Sequence, residues 1–287
     1  MIPLRTPLTR YALGRADAGL ALDALRAWAA PGRSNGSLHA GDVGWFLRFD
    51  EERVRAALAV WSDATGPVAV ELSDPELRRI SLAPRAEEDP EVLVALADAV
   101  RTDGTPVGVT AESGLWTALV KSGWTAGAPD AHLVLPLSGP IEVDLPYALV
   151  GEADAAARVD VQRAAFSRST FTVARWRQLH SSPAGQYAVD VLVRTPGGTA
   201  AAAAIGWFAG PGRCAVLEPV GTHPDYRRRG YGRAVVLAAA EELRRLGASA
   251  VAVLPPADLE PAVGAYRAAG FELIGYEHTL TPPRHGS

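Results

Sequence analysis

The sequence predicts an α/β fold (α+β, with a mixed sheet) that is arranged as two tandem domains. Three observations favour this class. The chain has 287 residues, and single domains typically hold about 100–200 residues, so two medium domains fit better than one core. Hydrophobic residues make up 48% and charged residues 21% of the chain, a balance typical of globular proteins and not of disordered ones. Helix-like segments alternate with short strand-like runs in both halves.

The first half opens with a helix predicted at 16–30, where Leu20, Leu22, Leu25 and Trp28 recur at near-helical spacing. A loop rich in Pro, Gly and Ser follows at 31–36. The other elements expected here are a strand at 43–49, a helix at 51–61, strands at 67–72 and 79–82, a helix at 91–100, a strand at 105–110, a short helix that ends at 121–123 and a strand at 132–136. A break at 137–140 predicts a junction between domains at 1–138 and 139–287.

The second half shows the same alternation more clearly. The expected elements are helices at 152–166 and 171–180, strands at 187–193 and 200–208, a strand at 214–220, a helix at 228–246, a strand at 250–254, a helix from 258 to 269 and a strand at 271–279. A turn at 196–198 joins the first two strands as a hairpin. Gly247 fits a helix C-terminus, and Asp258 is the expected N-cap of the last helix.

One short segment repeats between the halves. Residues 119–124 (LVKSGW) and 266–271 (YRAAGF) share a helix end, a glycine and an aromatic residue that begins a strand. This similarity supports a duplicated unit of about 140 residues.

Composition excludes several classes of protein. A net charge of −4 argues against a dedicated nucleic-acid binder, because phosphate neutralisation needs a basic surface. The single cysteine, Cys214, excludes an intrachain disulfide framework and a multi-cysteine zinc site. The first 15 residues lack the continuous apolar segment of a secretory signal, and the longest small or apolar run, 200–210, is shorter than the ~20 residues of a membrane helix. We therefore expect a cytoplasmic protein with no metal, membrane or nucleic-acid partner.

The segment 217–233 (LEPVGTHPDYRRRGYGR) carries the chemistry. A strand runs into an Arg- and Gly-rich loop that begins a long helix, and a helix N-terminus offers unpaired N–H groups and a positive dipole end to an anion. Gly230 and Gly232 leave the backbone accessible, and the neighbouring arginines add attraction. The pattern predicts a diphosphate ligand. A dinucleotide fingerprint fits less well because Val235 replaces its third small residue, and a Walker loop would need Gly-Lys-Ser/Thr.

Two motifs resemble those of a known family. The RxxGxG motif at 227–232 resembles the coenzyme A pyrophosphate loop of the GNAT acetyltransferases, and AxxxYxxxGF at 262–271 is similar to that family's second signature. Residues 1–138 resemble the family only in element order and in the Gly123-Trp124 pair. The chain thus resembles a tandem GNAT protein, similar to mycothiol synthase-type enzymes, with two tandem GNAT-like domains of which the N-terminal one is degenerate.

The resemblance implies how acetyl-CoA would bind. The backbone of the strand end pairs with the pantetheine arm as an added strand, and the loop holds the pyrophosphate. The implied cofactor-binding residues are Val220, Gly221, Thr222, Arg227, Arg228, Arg229, Gly230, Tyr231, Gly232 and Arg233. The family often has an asparagine seven residues before its tyrosine, where this chain has Leu259.

The resemblance also implies catalytic residues. Tyr266 matches the tyrosine that protonates the departing thiolate, and Glu218 lies near the position where the family often places a general base, with a water chain as the alternative. An attacking amine must first lose a proton, and a strand-end N–H such as that of Gly221 could stabilise the oxyanion. Direct attack needs no covalent enzyme intermediate, so the lack of a Ser-His-Asp arrangement is no objection.

Each of these features also has a purely structural interpretation. The arginine run could be a solvated helix terminus, Tyr266 could pack on the sheet, and Glu218 could be a solvent-facing or salt-bridged strand residue. His223 is expected to be a turn residue and Cys214 a small buried hydrophobe. Six aromatic residues belong either to the core or to an acceptor pocket, namely Trp45, Phe46, Phe171, Trp176, Trp207 and Phe208.

The first half lacks the same machinery. Its corresponding loop, 83–91 (APRAEEDPE), has no glycine pair, and its carboxylates suit a helix N-terminus but repel a diphosphate. Leu119 stands at the position of Tyr266. We therefore expect a structural half that packs on the catalytic half and shapes its acceptor cleft.

Together these observations predict an N-acyltransferase that moves an acetyl group from acetyl-CoA to a primary amine of a small molecule by direct attack, as a monomer or homodimer. The acidic net charge slightly favours a cationic acceptor. Two alternatives remain open: a non-catalytic acyl-CoA-binding sensor, and a protein or peptide N-acetyltransferase.

Overall fold

The computed structural model describes residues 8–34 and 37–283, so Asn35 and Gly36 of the predicted loop lie outside the described residues. The elements of the first half are β1 (Thr9–Ala12), α1 (Ala18–Trp28), α2 (Ala40–Phe46), α3 (Glu51–Ala57), β2 (Leu58–Asp63), β3 (Gly66–Ser73), β4 (Arg78–Leu82), α4 (Pro90–Asp103), β5 (Val107–Gly108), α5 (Gly114–Lys121) and β6 (Thr125–Pro136).

The second half follows the predicted order closely. Its elements are β7 (Tyr147–Leu149), α6 (Ala155–Ala165), α7 (Val173–His180), β8 (Ala188–Arg194), β9 (Ala200–Trp207), β10 (Cys214–Thr222), α8 (Tyr231–Arg245), β11 (Ala250–Val253), α9 (Glu260–Ala268) and β12 (Glu272–Thr281). Among the described residues, no helix is both long enough and apolar enough to cross a membrane.

All twelve of these strands form one mixed sheet, in the order β1-β2-β3-β4-β5-β12-β6-β11-β10-β9-β8-β7. The pairs β4–β5 and β10–β11 are parallel. The last strand of each half is exchanged: β6 pairs with β11 of the second half, β12 pairs with β5 of the first half, and β6 and β12 pair with each other. Each half thus contributes a strand beside the other's parallel pair. The boundary at 138/139 stays a prediction.

The repeat seen in the letters has a structural basis. Gly123 and Gly270 follow α5 and α9 with φ of 89° and 94°, the left-handed conformation that favours glycine after a helix. The N–H of Trp124 donates to the carbonyl of Leu119 at 3.2 Å, and that of Phe271 to the carbonyl of Tyr266 at 3.1 Å. Both helices therefore end in the same way and turn a buried aromatic ring into the sheet layer.

The predicted strand at 43–49 is wrong, because this segment contains helix α2. The side chain of His39 accepts from the N–H of Gly41, and Asp42 accepts from the N–H of His39 at 2.7 Å, which caps the helix reciprocally. Val43, Phe46 and Leu47 are buried, and their spacing fits one helical face. The β-branched and aromatic residues here favour a strand locally, but the cap and the buried helical face outweigh that preference.

Three further expectations differ from the structure. The predicted helix at 51–61 ends at Ala57, because β2 pairs from Leu58 onward with β3, and tertiary pairing overrides local propensity. Strands β1 and β7 were not predicted. Asp258 does not cap α9: Leu259 occupies the N-cap position without a side-chain hydrogen bond, and Glu260 begins the helix.

Candidate active site

A bulge in β10 creates the centre of the site. Leu217 lies opposite Gly206 of β9, whereas Val220 lies opposite Ala204, so β10 has one extra residue in between. The indole Nε1 of Trp207 donates to the carbonyl oxygen of Glu218 at 2.7 Å. The bulge is therefore held by a buried side chain, and the position of the Glu218 backbone depends on it.

Beyond the bulge, β10 has an open edge. It pairs with β11 only from Cys214 to Val216, although β10 continues to Thr222. Along 217–222, the described part of the chain places no strand on the β11 side. Unpaired strand backbone of this kind can accept an extended ligand as an added strand, which fits the role expected of residues 220–222.

The register decides which N–H groups face that edge. The N–H of His223 donates to the carbonyl of Ala201 at 2.9 Å, and Gly221 lies opposite Ala203 two residues earlier. Because hydrogen-bonded and non-bonded pairs alternate in an antiparallel ladder, the N–H of Gly221 points toward β9. This corrects the expectation that it stabilises an oxyanion: Val220 and Thr222 present their N–H groups to the open edge instead.

The glycines of the loop have two different structural roles. Gly230 occupies the N-cap position of α8 with φ 85° and no side-chain cap, and a Cβ there would meet nothing within 4 Å. No side chain therefore caps the first turn of this 15-residue helix, and the space next to Gly230 is open. A Cβ on Gly232 would lie 2.9 Å from Thr222 Oγ1, so this glycine lets α8 begin close to the end of β10.

The four arginines are not equivalent. Arg227 donates to the carbonyls of Thr222 and Ala165, both at 3.3 Å, and so fastens the loop to β10 and α6. Arg233 pairs with Asp144 at 2.7 Å, so its charge is already engaged. Arg228 and Arg229 are exposed beside the open helix terminus and are the two best placed to meet a phosphate.

Tyr231 begins α8, and its ring meets that of Tyr226 edge-on at 5.9 Å. It is half-buried and packs against the main core of the second half. This observation gives it a packing role next to the loop.

A cleft of about 430 Å³ adjoins the bulge and lies between the two halves. The second half contributes Glu218, Val220, Tyr266 and the end of β11, and the exchanged strands contribute Asp130 and Glu277. The first half contributes Ser37, His39, Asp42, Leu77, Arg79 and Gly108. Glu218 and Tyr266, which are 48 positions apart in the sequence, therefore meet in one cleft.

Glu218 is strongly perturbed. The pKa of its carboxyl is raised to about 8, first by burial and then by the charge of Asp42 and a hydrogen bond between the two carboxyl groups, against the opposing charges of Arg79 and Arg48. A carboxyl with a pKa near neutrality can both take and release a proton there. The sequence singled out Glu218 but not the partner that perturbs it.

Tyr266 lies on α9 with its ring 5.6 Å from that of Phe271. Burial raises the pKa of its phenol above the ordinary value, and the nearby charge of Glu218 raises it further. The hydroxyl therefore stays protonated near neutral pH and can donate a proton or a hydrogen bond into the cleft.

The corresponding helix terminus of the first half is closed. The carboxyl of Asp89 accepts from the N–H groups of Glu91 and Val92 at 3.1 and 3.4 Å, so a side chain occupies the place where α8 leaves open N–H groups. Leu119 is fully buried. A side chain therefore caps the N-terminus of α4, whereas none caps that of α8.

Comparison with known proteins identifies a domain in the second half. Residues 155–271 match the model of the acetyltransferase (GNAT) family. The chain contains a GNAT acetyltransferase domain. This domain includes the bulge, the Arg- and Gly-rich loop and Tyr266, and it confirms the expectation of an acyltransferase enzyme. Domains of this family generally use acyl-CoA as cosubstrate.

Solved structures show the same fold over nearly the whole chain. A tandem GNAT protein from the clavulanic acid biosynthesis pathway, solved without AcCoA, is 18% identical with a TM-score of 0.59, and the match covers 98% of this chain and 100% of that one. A GCN5-related N-acetyltransferase from Sphaerobacter thermophilus is 16% identical with a TM-score of 0.52, covering 96% and 95%. One from Kribbella flavida is 20% identical with a TM-score of 0.51, covering 76% and 87%. These likenesses concern the fold and confirm the tandem GNAT-like architecture. A search of curated proteins found no matching sequence.

The other residues considered from the sequence have structural roles. His223 accepts from the N–H of Asp225 within a turn. Burial raises the pKa of the Cys214 thiol to about 12, which makes it inert. The six aromatic candidates do not line the cleft. Phe166, which no sequence pattern singles out, does line it. Phe166 follows α6 and lies against Gly221, a proximity that only the fold reveals.

Proposed function

We propose that this GNAT protein moves an acetyl group from acetyl-CoA to a primary amine of a small molecule by direct attack. The observation that carries the proposal is the continuity of the site: the open edge of β10 leads from the uncapped N-terminus of α8 to the cleft that holds Glu218 and Tyr266. Acetyl-CoA supplies an activated acetyl thioester. Its pyrophosphate fits Arg228, Arg229 and the open N–H groups, and its pantetheine arm fits the edge at 220–222.

The residues of the cleft divide the proton transfers. The Glu218 carboxylate takes a proton from the incoming ammonium group, which frees the nitrogen lone pair to form the N–C bond. The N–H of Val220 donates a hydrogen bond to the carbonyl oxygen as negative charge develops there. Tyr266 donates its proton to the departing sulfur as the C–S bond breaks. The second proton that the nitrogen must lose then passes to the Tyr266 phenolate, and Glu218 releases its proton to solvent. Proton, acyl group and thiol are thus all accounted for.

The acceptor binds between the halves in this proposal. Among the residues that the structure describes, four carboxyl groups and one guanidinium, that of Arg79, line the cleft. The carboxyl groups belong to Asp42, Asp130, Glu218 and Glu277. This excess of negative charge favours a cationic amine. We further propose that the protein acts in the cytoplasm as a monomer or homodimer, with no nucleic-acid or membrane partner.

A transfer assay tests the function. Purified protein is incubated with acetyl-CoA and a panel of amino acids, diamines and aminosugars, and free thiol and acetylated amine are measured together. We expect stoichiometric thiol and acetylated product with at least one amine, and a loss of turnover in Tyr266→Phe but not in Tyr276→Phe, which changes an exposed tyrosine. Binding of acetyl-CoA without any transfer would favour the sensor alternative, and transfer to peptides alone would favour a protein acetyltransferase.

A further inference from the structure

The first half contributes a side chain to the proposed base. Asp42 is the third residue of α2, and one of its carboxyl oxygens accepts from the N–H of His39 at 2.7 Å. The Asp42 carboxyl also lies within hydrogen-bond reach of the Glu218 carboxyl, and both residues line the cleft. A residue from the first half therefore lies beside the residue at which the chemistry of the second half is proposed.

Close packing fixes this contact. A Cβ on Gly41 would lie 2.5 Å from Cδ1 of Trp207, and one on Gly44 would lie 2.5 Å from its Cζ3. These two glycines let α2 lie flat on the indole ring, whose Nε1 holds the carbonyl of Glu218. One ring thus sets the position of the helix that carries Asp42 and of the bulge that carries Glu218.

Two carboxyl groups in contact cannot both be ionised without strong repulsion, so such a pair keeps one proton near neutral pH. The charged groups that act on Glu218 are Asp42 on α2, Arg48 just after α2 and Arg79 on β4, and Tyr266 of α9 lies close enough to respond to its charge. Asp42 raises the pKa of Glu218, and the two arginines lower it. The other titratable residues that line the cleft are His39, Asp130, Glu277 and His278.

We propose that Asp42 is a positioning residue for the base: together with Glu218 it forms a carboxyl pair that shares one proton across the two halves. The inference rests on the proposed function. An alkyl ammonium group has a pKa of about 10.4, so its proton transfer to an ordinary glutamate with a pKa of about 4.3 is unfavourable by about 10⁶. A base that titrates near 8 reduces this factor to about 10². The pair makes direct deprotonation of the acceptor feasible.

A titration tests the pair without any acceptor. Protein labelled with ¹³C at the glutamate carboxyl is titrated by NMR, and the Glu218 signal is assigned by its loss in Glu218→Gln. In Asp42→Asn the side-chain amide can still accept the hydrogen bond from His39, but it donates a hydrogen bond to Glu218. Because a donor favours the ionised form of Glu218, we expect the midpoint of the Glu218 titration to fall by at least one pH unit. Asp50→Asn is the matched control, because Asp50 is an exposed helix-cap carboxylate of the same half that accepts from Arg53. Asp42→Glu should keep the high midpoint.

The proposed carboxyl pair would be overturned if the Glu218 midpoint lay near 4 to 5 in the unchanged protein, or if Asp42→Asn did not move that midpoint. The acid limb of kcat/KM, measured with the best amine of the panel, should shift in parallel by at least one unit in Asp42→Asn. If the NMR midpoint moves and the limb does not, Glu218 is not the base and the positioning role is wrong, while acyl transfer in the same samples shows that the proposed function stands.

Discussion

The contact between α2 and Trp207 gives the sharpest structural prediction, for Gly44→Ala. The new methyl carbon would lie 2.5, 2.8 and 3.0 Å from Cζ3, Cη2 and Cε3 of Trp207, whereas carbon atoms in contact prefer about 3.5–4.0 Å. The ring or the helix must therefore move by about 1 Å. The ring is almost fully buried and cannot swing into solvent.

The energetic cost has three parts. Overpacking a core costs about 1–3 kcal/mol. Losing the 2.7 Å bond to the Glu218 carbonyl leaves a buried donor unsatisfied and costs about 1–3 kcal/mol. Replacing glycine in a helix returns about 1 kcal/mol. The net destabilisation of about 1–5 kcal/mol is below the typical stability of about 5–15 kcal/mol, so the protein should fold.

Thermal unfolding and turnover measure the two consequences. Each kcal/mol lowers Tm by about 2–4 °C in a chain of this size class, and a displacement of about 1 Å at a catalytic group can lower kcat by about 10². The matched control is Gly19→Ala in α1, where a Cβ meets nothing within 4 Å; it should leave kcat unchanged and raise stability by about 0.5–1 kcal/mol. A Gly44→Ala protein with unchanged Tm and kcat would refute the reasoning.

Three other predictions follow. Tyr266→Phe should lower kcat by about 10²–10⁴ and leave acetyl-CoA binding unchanged; equal losses in both would point to a packing role. Because the Glu218 pKa is raised to about 8 and the carboxylate is the active form, kcat/KM should rise with pH through about 8, and Glu218→Gln should abolish this limb; a limb that survives assigns it elsewhere. Arg158→Met should cost about 3–5 kcal/mol of unfolding free energy, because Arg158 Nε pairs with buried Asp190 at 2.7 Å. Loss of the exposed ion pair between Arg177 and Glu152 should cost under about 1 kcal/mol of unfolding free energy. A similar loss of stability for the buried and the exposed pair would contradict this expectation.

Sequence reasoning recovered the parts of the fold that local chemistry determines. The long helix α8, the hairpin of β8 and β9 and the paired glycines after α5 and α9 all follow from periodicity and turn residues. The strand exchange between β6 and β12 could not be predicted, because it is set by pairing over more than a hundred residues and leaves no local signal. The same holds for α2, where a strand-like composition hides a capped helix.

In the candidate site too, local motifs predict some residues and only tertiary contacts reveal others. The motif at 227–232 located the loop, and Tyr266 and Glu218 do meet in one cleft. Asp42 was missed because it belongs to the other half and lies just before a segment whose composition predicts a strand. Only the fold brings its carboxyl to Glu218. The pairing of Arg233 with Asp144 is likewise a tertiary contact that the arginine run does not reveal.

The most direct test of the central claim is the number of acetyl-CoA sites. Calorimetric titration of acetyl-CoA into the full chain should give one site. Gly230→Glu should weaken binding at least tenfold, since a new carboxylate would face the diphosphate. Gly212→Glu is the matched control: its φ is 72° against 85° for Gly230, a Cβ meets nothing within 4 Å at either position, and it lies at the opposite end of β10. One site, lost only in Gly230→Glu, is the predicted result. Two sites per chain would contradict the loss of the anion site in the first half, and no binding would contradict the assignment of the loop.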